Sequence, residues 1–218
     1  MKIAVFDFCK TLVNINTLSS FVEFVLEKEK NILIKMIKKF IFVNRKILNR
    51  IFFVKPRYIE IFLLRGYSKD FLASSAKEFI NTKIIINKNA KILEYLLELK
   101  NKGYVIIILS AALDIYLSFV KDIFNADYVI CTNLKFKNDI CLGKVDGIDA
   151  YGKKKIEKLL KEFPYSNYID WEKSFYFTDD YITELDVLNK FGHKYIVVNK
   201  LSKLNHLINQ NIYKIIYV

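Results

Sequence analysis

Hydrophobic positions along the chain fall into two kinds of run. The first kind is short, continuous and closed by a polar residue. Ile3-Ala4-Val5-Phe6 ends in Asp7, Tyr104-Val105-Ile106-Ile107-Ile108-Leu109 ends in Ser110-Ala111-Ala112, and Ser174-Phe175-Tyr176-Phe177-Thr178 ends in Asp179-Asp180. A strand covered on both faces needs apolar side chains at every position, so these runs predict buried parallel strands. A further strand is expected at 195–199, followed by a C-terminal helix and strand. Two runs on either side of Asn138-Asp139 predict a hairpin.

The second kind has helical spacing. Residues 17–30 place Phe21, Val22, Phe24, Val25 and Leu26 behind a cap at Thr17 or Ser19. Residues 31–53 form a second helix, interrupted by Lys35, Lys38, Lys39, Arg45, Lys46 and Arg50. Its expected packing is apolar side inward with a solvated basic face; peripheral contact with an anionic membrane is the alternative. Pro56 breaks the pattern. A third helix over 57–65 stops at Gly66, and Ser68 caps a fourth over 69–80. Helices return at 90–102, before Gly103, and at 153–162, after Gly152. The order predicts an α/β fold, a doubly wound parallel sheet formed by residues 1–13 and 85–218, with an all-helical cap inserted at 14–84.

Composition narrows the class. The 218 residues are 53% hydrophobic with only six Gly and two Pro, which excludes a disordered chain. Charge interrupts every window of about 18 residues, so no membrane-spanning helix is expected. The first residues run straight into a strand, which does not resemble a signal peptide. Three Cys without zinc-like spacing suggest reduced thiols and a cytoplasmic setting. The net charge of +12 suits nucleic acid, anionic lipid or a phosphorylated substrate. The abundance of Lys, Ile, Asn, Phe and Tyr accounts for that basicity through composition alone, and no nucleic-acid partner is expected.

The chemistry lies where the apolar runs end. In an open α/β sheet, ligands bind beyond the carboxyl ends of the strands. Asp7, with Thr11 four residues on, is a candidate nucleophile or metal ligand. Ser110 and the following backbone N–H groups, beginning with Ala111, form a candidate phosphate cradle. Lys153, Lys154 or Lys155 supplies a cation from a helix start. Asp179, Asp180 and Glu184 suit a hard divalent cation such as Mg²⁺.

These four segments together resemble the haloacid dehalogenase superfamily, in its phosphoserine-phosphatase-like branch. Asp7-Phe8-Cys9-Lys10-Thr11-Leu12 looks like its first motif, Asp-x-Asp-x-Thr-Leu. The second is matched by Leu99-Lys100-Asn101-Lys102-Gly103-Tyr104 with Ser110, the third by Lys155, and the fourth by Asp179-Asp180 with Glu184. The resemblance implies a phosphatase that forms an aspartyl-phosphate on Asp7. Mg²⁺ would be held by Asp7, the carbonyl of Cys9 and Asp180, helped by Asp179 or Glu184. Thr11, Ser110, Ala111 and Lys155 would serve the phosphoryl group. The implied substrate is a small phosphorylated metabolite. Two positions depart from the pattern. Cys9 stands where the family has its acid/base Asp, so the rival expectation is an impaired relative that binds phosphate ligands without efficient turnover. Asn16 stands where phosphoserine phosphatases place a substrate-reading Glu, while Arg65 matches their carboxylate-reading arginine.

Overall fold

The structure, a computed structural model, describes residues 1–198 and 213–218. The expected C-terminal helix lies outside the described residues.

Among these, seven strands form one sheet: β1 (Ile3–Phe6), β2 (Val105–Leu113), β3 (Tyr128–Lys137), β4 (Ile140–Asp146), β5 (Phe175–Thr178), β6 (His193–Val198) and β7 (Lys214–Tyr217). Their order is β4-β3-β2-β1-β5-β6-β7, parallel throughout except for the β3–β4 hairpin. The hairpin turn is Asn138-Asp139, with φ of 48° and 59°. Two consecutive left-handed residues give the twist that a two-residue hairpin needs.

The continuous apolar runs have a simple cause. Side chains alternate between faces, and both faces are covered. Ala4, Phe6, Ile106 and Ile108 enter one core, whereas Ile3, Val5, Ile107 and Leu109 enter the other. The first core is covered by α5 (Ala90–Asn101), through Ile92, Leu96 and Leu99. The second is covered by α7 (Lys154–Glu162) and the short α8 (Leu185–Leu188), through Leu159, Val187 and Leu188.

Between β1 and α5 lie α1 (Thr17–Glu27), α2 (Ile32–Phe52), α3 (Pro56–Leu63) and α4 (Lys69–Phe79), the last continuing into a π turn. The chain enters and leaves this insertion at adjacent points: Asn14 N–H donates to Asn87 O at 2.8 Å and Asn89 N–H to Leu12 O at 2.9 Å. Its apolar side chains join the first core. Phe21 and Phe79 pack around Tyr116 in tilted and edge-on contacts, at 4.9 and 5.7 Å between ring centres. Tyr116 belongs to α6 (Asp114–Leu117), which follows β2.

Three local expectations change. Asn16, rather than Thr17 or Ser19, caps α1 by accepting from Ser19 N–H. Thr17 is instead buried, and Ser19 Oγ donates to Glu60. The strand expected to end at Ser110 runs on to Leu113, with a register irregularity between Ser110 and Leu113, and leads straight into the single turn of α6. Finally, α2 does not pack apolar side inward. Phe42 is its only buried residue.

Candidate active site

The parallel register brings the polar strand ends together. β1 lies between β2 and β5, so Asp7 emerges between Ser110 and Asp179. Asp7 N–H donates to Phe177 O at 2.9 Å, which holds the backbone at the sheet edge. Asp7 Oδ1 accepts from Phe8 N–H at 2.7 Å and lies 3.0 Å from Lys155 Nζ. The turn continues through Lys10, whose φ of 55° is unusual for a residue with a side chain.

Lys155 reaches in from the start of α7 and is 1% exposed. Its Nζ also lies 2.5 Å from Glu184 Oε1. Burial opposes its charge, yet the carboxylates of Asp7 and Glu184 hold its pKa above the ordinary value. Glu184 Oε2 accepts from Tyr176 Oη at 2.6 Å and Thr178 Oγ1 at 2.8 Å. Oε1 thus faces Lys155 while two hydroxyls hold Oε2, an arrangement that fixes the Glu184 carboxylate against Lys155.

The adjacent acids differ. Asp180 accepts at both oxygens from Thr183, from N–H at 3.1 Å and Oγ1 at 2.7 Å, and so closes its own turn. Burial and the negative charge of Asp7 push the Asp179 carboxyl up to about 7. Asp179 is thus the acid that feels the charge of Asp7, beside the Asp180 that the sequence expectation made the main ligand. Among the described residues no three Asp, Glu, His or Cys side chains form a preformed metal cluster. A carboxyl whose pKa is raised by the acids around it nevertheless fits a hard cation, which would relieve that repulsion.

Residues 4–181 match the haloacid dehalogenase-like hydrolase family. The chain belongs to this family. Among solved structures, a protein of unknown function from Bordetella pertussis Tohama I aligns with a TM-score of 0.82 at 12% identity, covering 99% of this hydrolase and 97% of that chain. A phosphoserine phosphatase, described as a phospho-aspartyl intermediate analogue, aligns at 0.62 and 22% identity, covering 90% and 86%. Cytosolic 5′-nucleotidase IIIB bound to cytidine aligns at 0.68 and 11% identity, covering 99% and 79%. At these identities the likeness is one of fold. Among curated proteins none matches the chain in sequence.

The hydrolase's cavity, of about 450 Å³, has two walls. The sheet-edge wall carries Asp7, Cys9, Ser110, Ala111, Lys155 and Asp179. Ser110 is fully buried and its Oγ accepts from Ala112 N–H at 3.2 Å. Thr11 is also fully buried, does not reach the cavity, and its hydroxyl has no hydrogen-bond partner. The Cys9 thiol is hydrogen-bonded to Thr17 Oγ1 at 2.8 Å, which in turn bonds Tyr116 Oη at 3.1 Å. Burial and the charge of Asp7 push the thiol's pKa up, so it stays protonated.

The helical wall carries Asn16, Arg45, Arg57 and Glu60. Arg57, in the first turn of α3, donates to Asp149 Oδ1 at 2.7 Å and Oδ2 at 3.1 Å, to Thr132 Oγ1 at 3.0 Å and to Ala111 O at 2.6 Å. It thereby clamps the insertion to the segment after Ser110. Glu60 is buried, forms an ion pair with Arg45 (Nε to Oε1, 2.6 Å) and accepts from Ser19 Oγ at 2.7 Å. Sequence reasoning missed Arg45, Arg57 and Glu60. Arg65 needs correction: it is exposed and lines a separate groove with Lys28, Lys38 and Tyr67. Gly66 N–H donates to Cys141 O at 2.9 Å, which pins that end of α3 to β4 and away from the cavity.

Proposed function

We propose that this hydrolase is a cytoplasmic, Mg²⁺-dependent phosphomonoesterase acting on a small phosphorylated alcohol, amino alcohol or sugar. The observation that carries the reading is the 3.0 Å contact between Lys155 Nζ and Asp7 Oδ1, beside Ser110 in the cavity. A carboxylate held by a buried cation at an anion-ready strand end is arranged to attack phosphorus. The phospho-aspartyl analogue described for a phosphoserine phosphatase of like fold supports the same chemistry.

Asp7 attacks phosphorus in line, its new O–P bond forming as the bond to the leaving oxygen breaks. Lys155, the Ser110 hydroxyl and the backbone N–H groups after it stabilise the phosphoryl oxygens. The leaving alkoxide takes up a proton, and water then hydrolyses the aspartyl-phosphate to regenerate Asp7 and release phosphate. Asp7, Asp179 and the carbonyl of Cys9 would hold Mg²⁺, a donor set suited to an ion that keeps several waters. When bound, the ion supplies charge neutralisation between nucleophile and phosphate. Residues 14–84 act as the cap, with Asn16, Arg45 and Arg57 facing the substrate.

The test is phosphate release from a panel of phosphorylated metabolites, with Mg²⁺ or with chelator. Asp7→Asn should reduce release by on the order of 10⁴ or more. Release that survives both this substitution and chelation would overturn the reading.

A second reading, feeble turnover, is favoured by Cys9. Its thiol bonds Thr17, and no carboxylate occupies the position that would activate water. A protonated thiol donates a proton but is a poor base, and a missing acid/base group costs on the order of 10² to 10⁴. Cys9→Asp should therefore raise steady-state turnover by about 10² or more. An unchanged or lower rate would show that another group already does this work.

A further inference from the structure

We propose that α2 is a docking face for the surface of an anionic lipid bilayer. The helix is turned opposite to an ordinary core helix. Its inward side carries Phe42, Arg45, which bonds Glu60, and Lys38, which donates to Arg65 O. Its outward side carries Leu33, Met36, Phe40, Val43, Ile47 and Ile51, each 55–72% exposed. At 100° per residue these six occupy an arc of roughly 80° along a helix about 32 Å long. Phe53, just past its end, is 90% exposed. An apolar strip of this extent on a soluble surface marks an interaction site.

Charge selects the occupant. From Lys30 to Ile59 the chain has nine Lys and Arg and no Asp or Glu. Lys39, Lys46 and Arg50 border one side of the strip. Lys35 and Lys39 reach back to Glu27, but Lys46 and Arg50 are exposed. A second copy docking on the same face would bring these like charges together, whereas anionic headgroups complement them. Six basic residues within α2 keep it from crossing a bilayer; among the described residues no helix is long and apolar enough to do so. An apolar strip bordered by Lys and Arg is the pattern of a helix lying in the interface. Arg45 and Lys46 also line the catalytic cavity, so docking brings its mouth close to the headgroups.

The test is cosedimentation of the full chain with vesicles of phosphatidylcholine, alone or mixed with phosphatidylglycerol. Binding should require the anionic lipid and weaken as salt rises. Phe40→Glu with Ile47→Glu should reduce binding at least tenfold, while hydrolysis of a soluble phosphomonoester stays unchanged. Lys39→Gln with Arg50→Gln should weaken it roughly tenfold on the anionic vesicles. Circular dichroism and unfolding midpoints check that the variants fold. Three results would overturn the proposal: no binding at low salt, binding unaffected by the Phe40/Ile47 pair of changes, or a wild-type dimer that this pair converts to monomer. The readout is binding, so it is independent of whether the hydrolase reading holds.

Discussion

The two walls of the cavity are built on different principles. The sheet-edge wall gathers Asp7, Ser110, Asp179 and the Lys155–Glu184 pair from short segments whose relative positions follow from parallel strand register. Each is delivered by backbone, at the end of a strand or the start of a helix. The helical wall gathers Arg45, Arg57 and Glu60 through ion pairs between segments that share no ladder. Arg57 reaches Asp149, 92 positions away, and Arg45 reaches Glu60 between two helices. One wall is fixed by the fold; the other is fixed by charges that the fold leaves nearby. The first therefore suits steps common to phosphoryl chemistry, and the second suits substrate selection.

The largest expected effect tests the first wall. Lys155→Met keeps much of the side-chain volume but leaves Asp7 and Glu184 buried without their shared cation. Breaking a buried pair on one side costs about 3–5 kcal/mol. The urea midpoint should fall accordingly, and phosphate release should drop by on the order of 10² to 10³ through the lost electrostatic stabilisation. A variant that unfolds like the wild type would mean that Glu184 and Asp7 are satisfied without Lys155, and the distinction between the walls would fail.

Arg57→Ala tests the second wall and should cost less, about 1.5–3 kcal/mol, because Asp149 keeps its bond from Thr132 Oγ1 at 2.8 Å. The effect depends on pH. Burial works against the Asp149 carboxylate, but hydrogen bonds and charge from Arg57 hold its pKa below the ordinary 3.8. A depressed folded-state pKa contributes stability that is fully present above the unfolded value and lost as pH falls through the folded one. The gap in unfolding free energy between wild type and Arg57→Ala should thus be full at neutral pH and narrow below about pH 4. Urea titrations across that range measure it. A gap that stays constant into acid would remove Asp149 as the partner.

The same contrast explains what was legible in the sequence. Asp7, Ser110, Lys155 and Asp179 were visible because each follows a local signal: an apolar run that stops, or a Gly before a helix. Backbone geometry then carries that signal into three dimensions. The difference between Asp179 and Asp180 was not visible, because adjacent acids carry the same sequence signal and only the bonds from Thr183 to Asp180 separate them. The hydroxyls of Tyr176 and Thr178 that donate to Glu184 had no sequence signal of their own. Arg45, Arg57 and Glu60 had no local signal, since any charged residue on an amphipathic helix reads as solvated. In α2 the moment was legible but its direction was not. A basic amphipathic helix has the same pattern whichever side faces the core, and the partners of Arg45 and Lys38 decide it.

Arg65 gives the smallest and most discriminating effect. It lies in the turn just past the end of α3, eight residues after Arg57. Beyond it, Gly66 N–H bonds Cys141 O and Cys141 N–H bonds Tyr67 O, both at 2.9 Å. Gly143 on β4, with φ of 64°, lets the strand approach so closely that a Cβ there would stand 2.8 Å from Arg65 Cβ. Arg65→Ala keeps that Cβ and removes an exposed side chain whose guanidinium lies 5.8 Å from the Phe62 ring centre. Stability should change by no more than about 0.5 kcal/mol, and kcat/KM for any phosphomonoester substrate should stay within about twofold. A tenfold rise in KM for carboxylate-bearing substrates alone would require Arg65 to reach the cavity. That needs α3 to come off β4, which would also break the Arg57–Asp149 clamp. Arg57→Ala would then lose its stability cost in the substrate complex, so the two substitutions together decide which end of α3 reads the substrate.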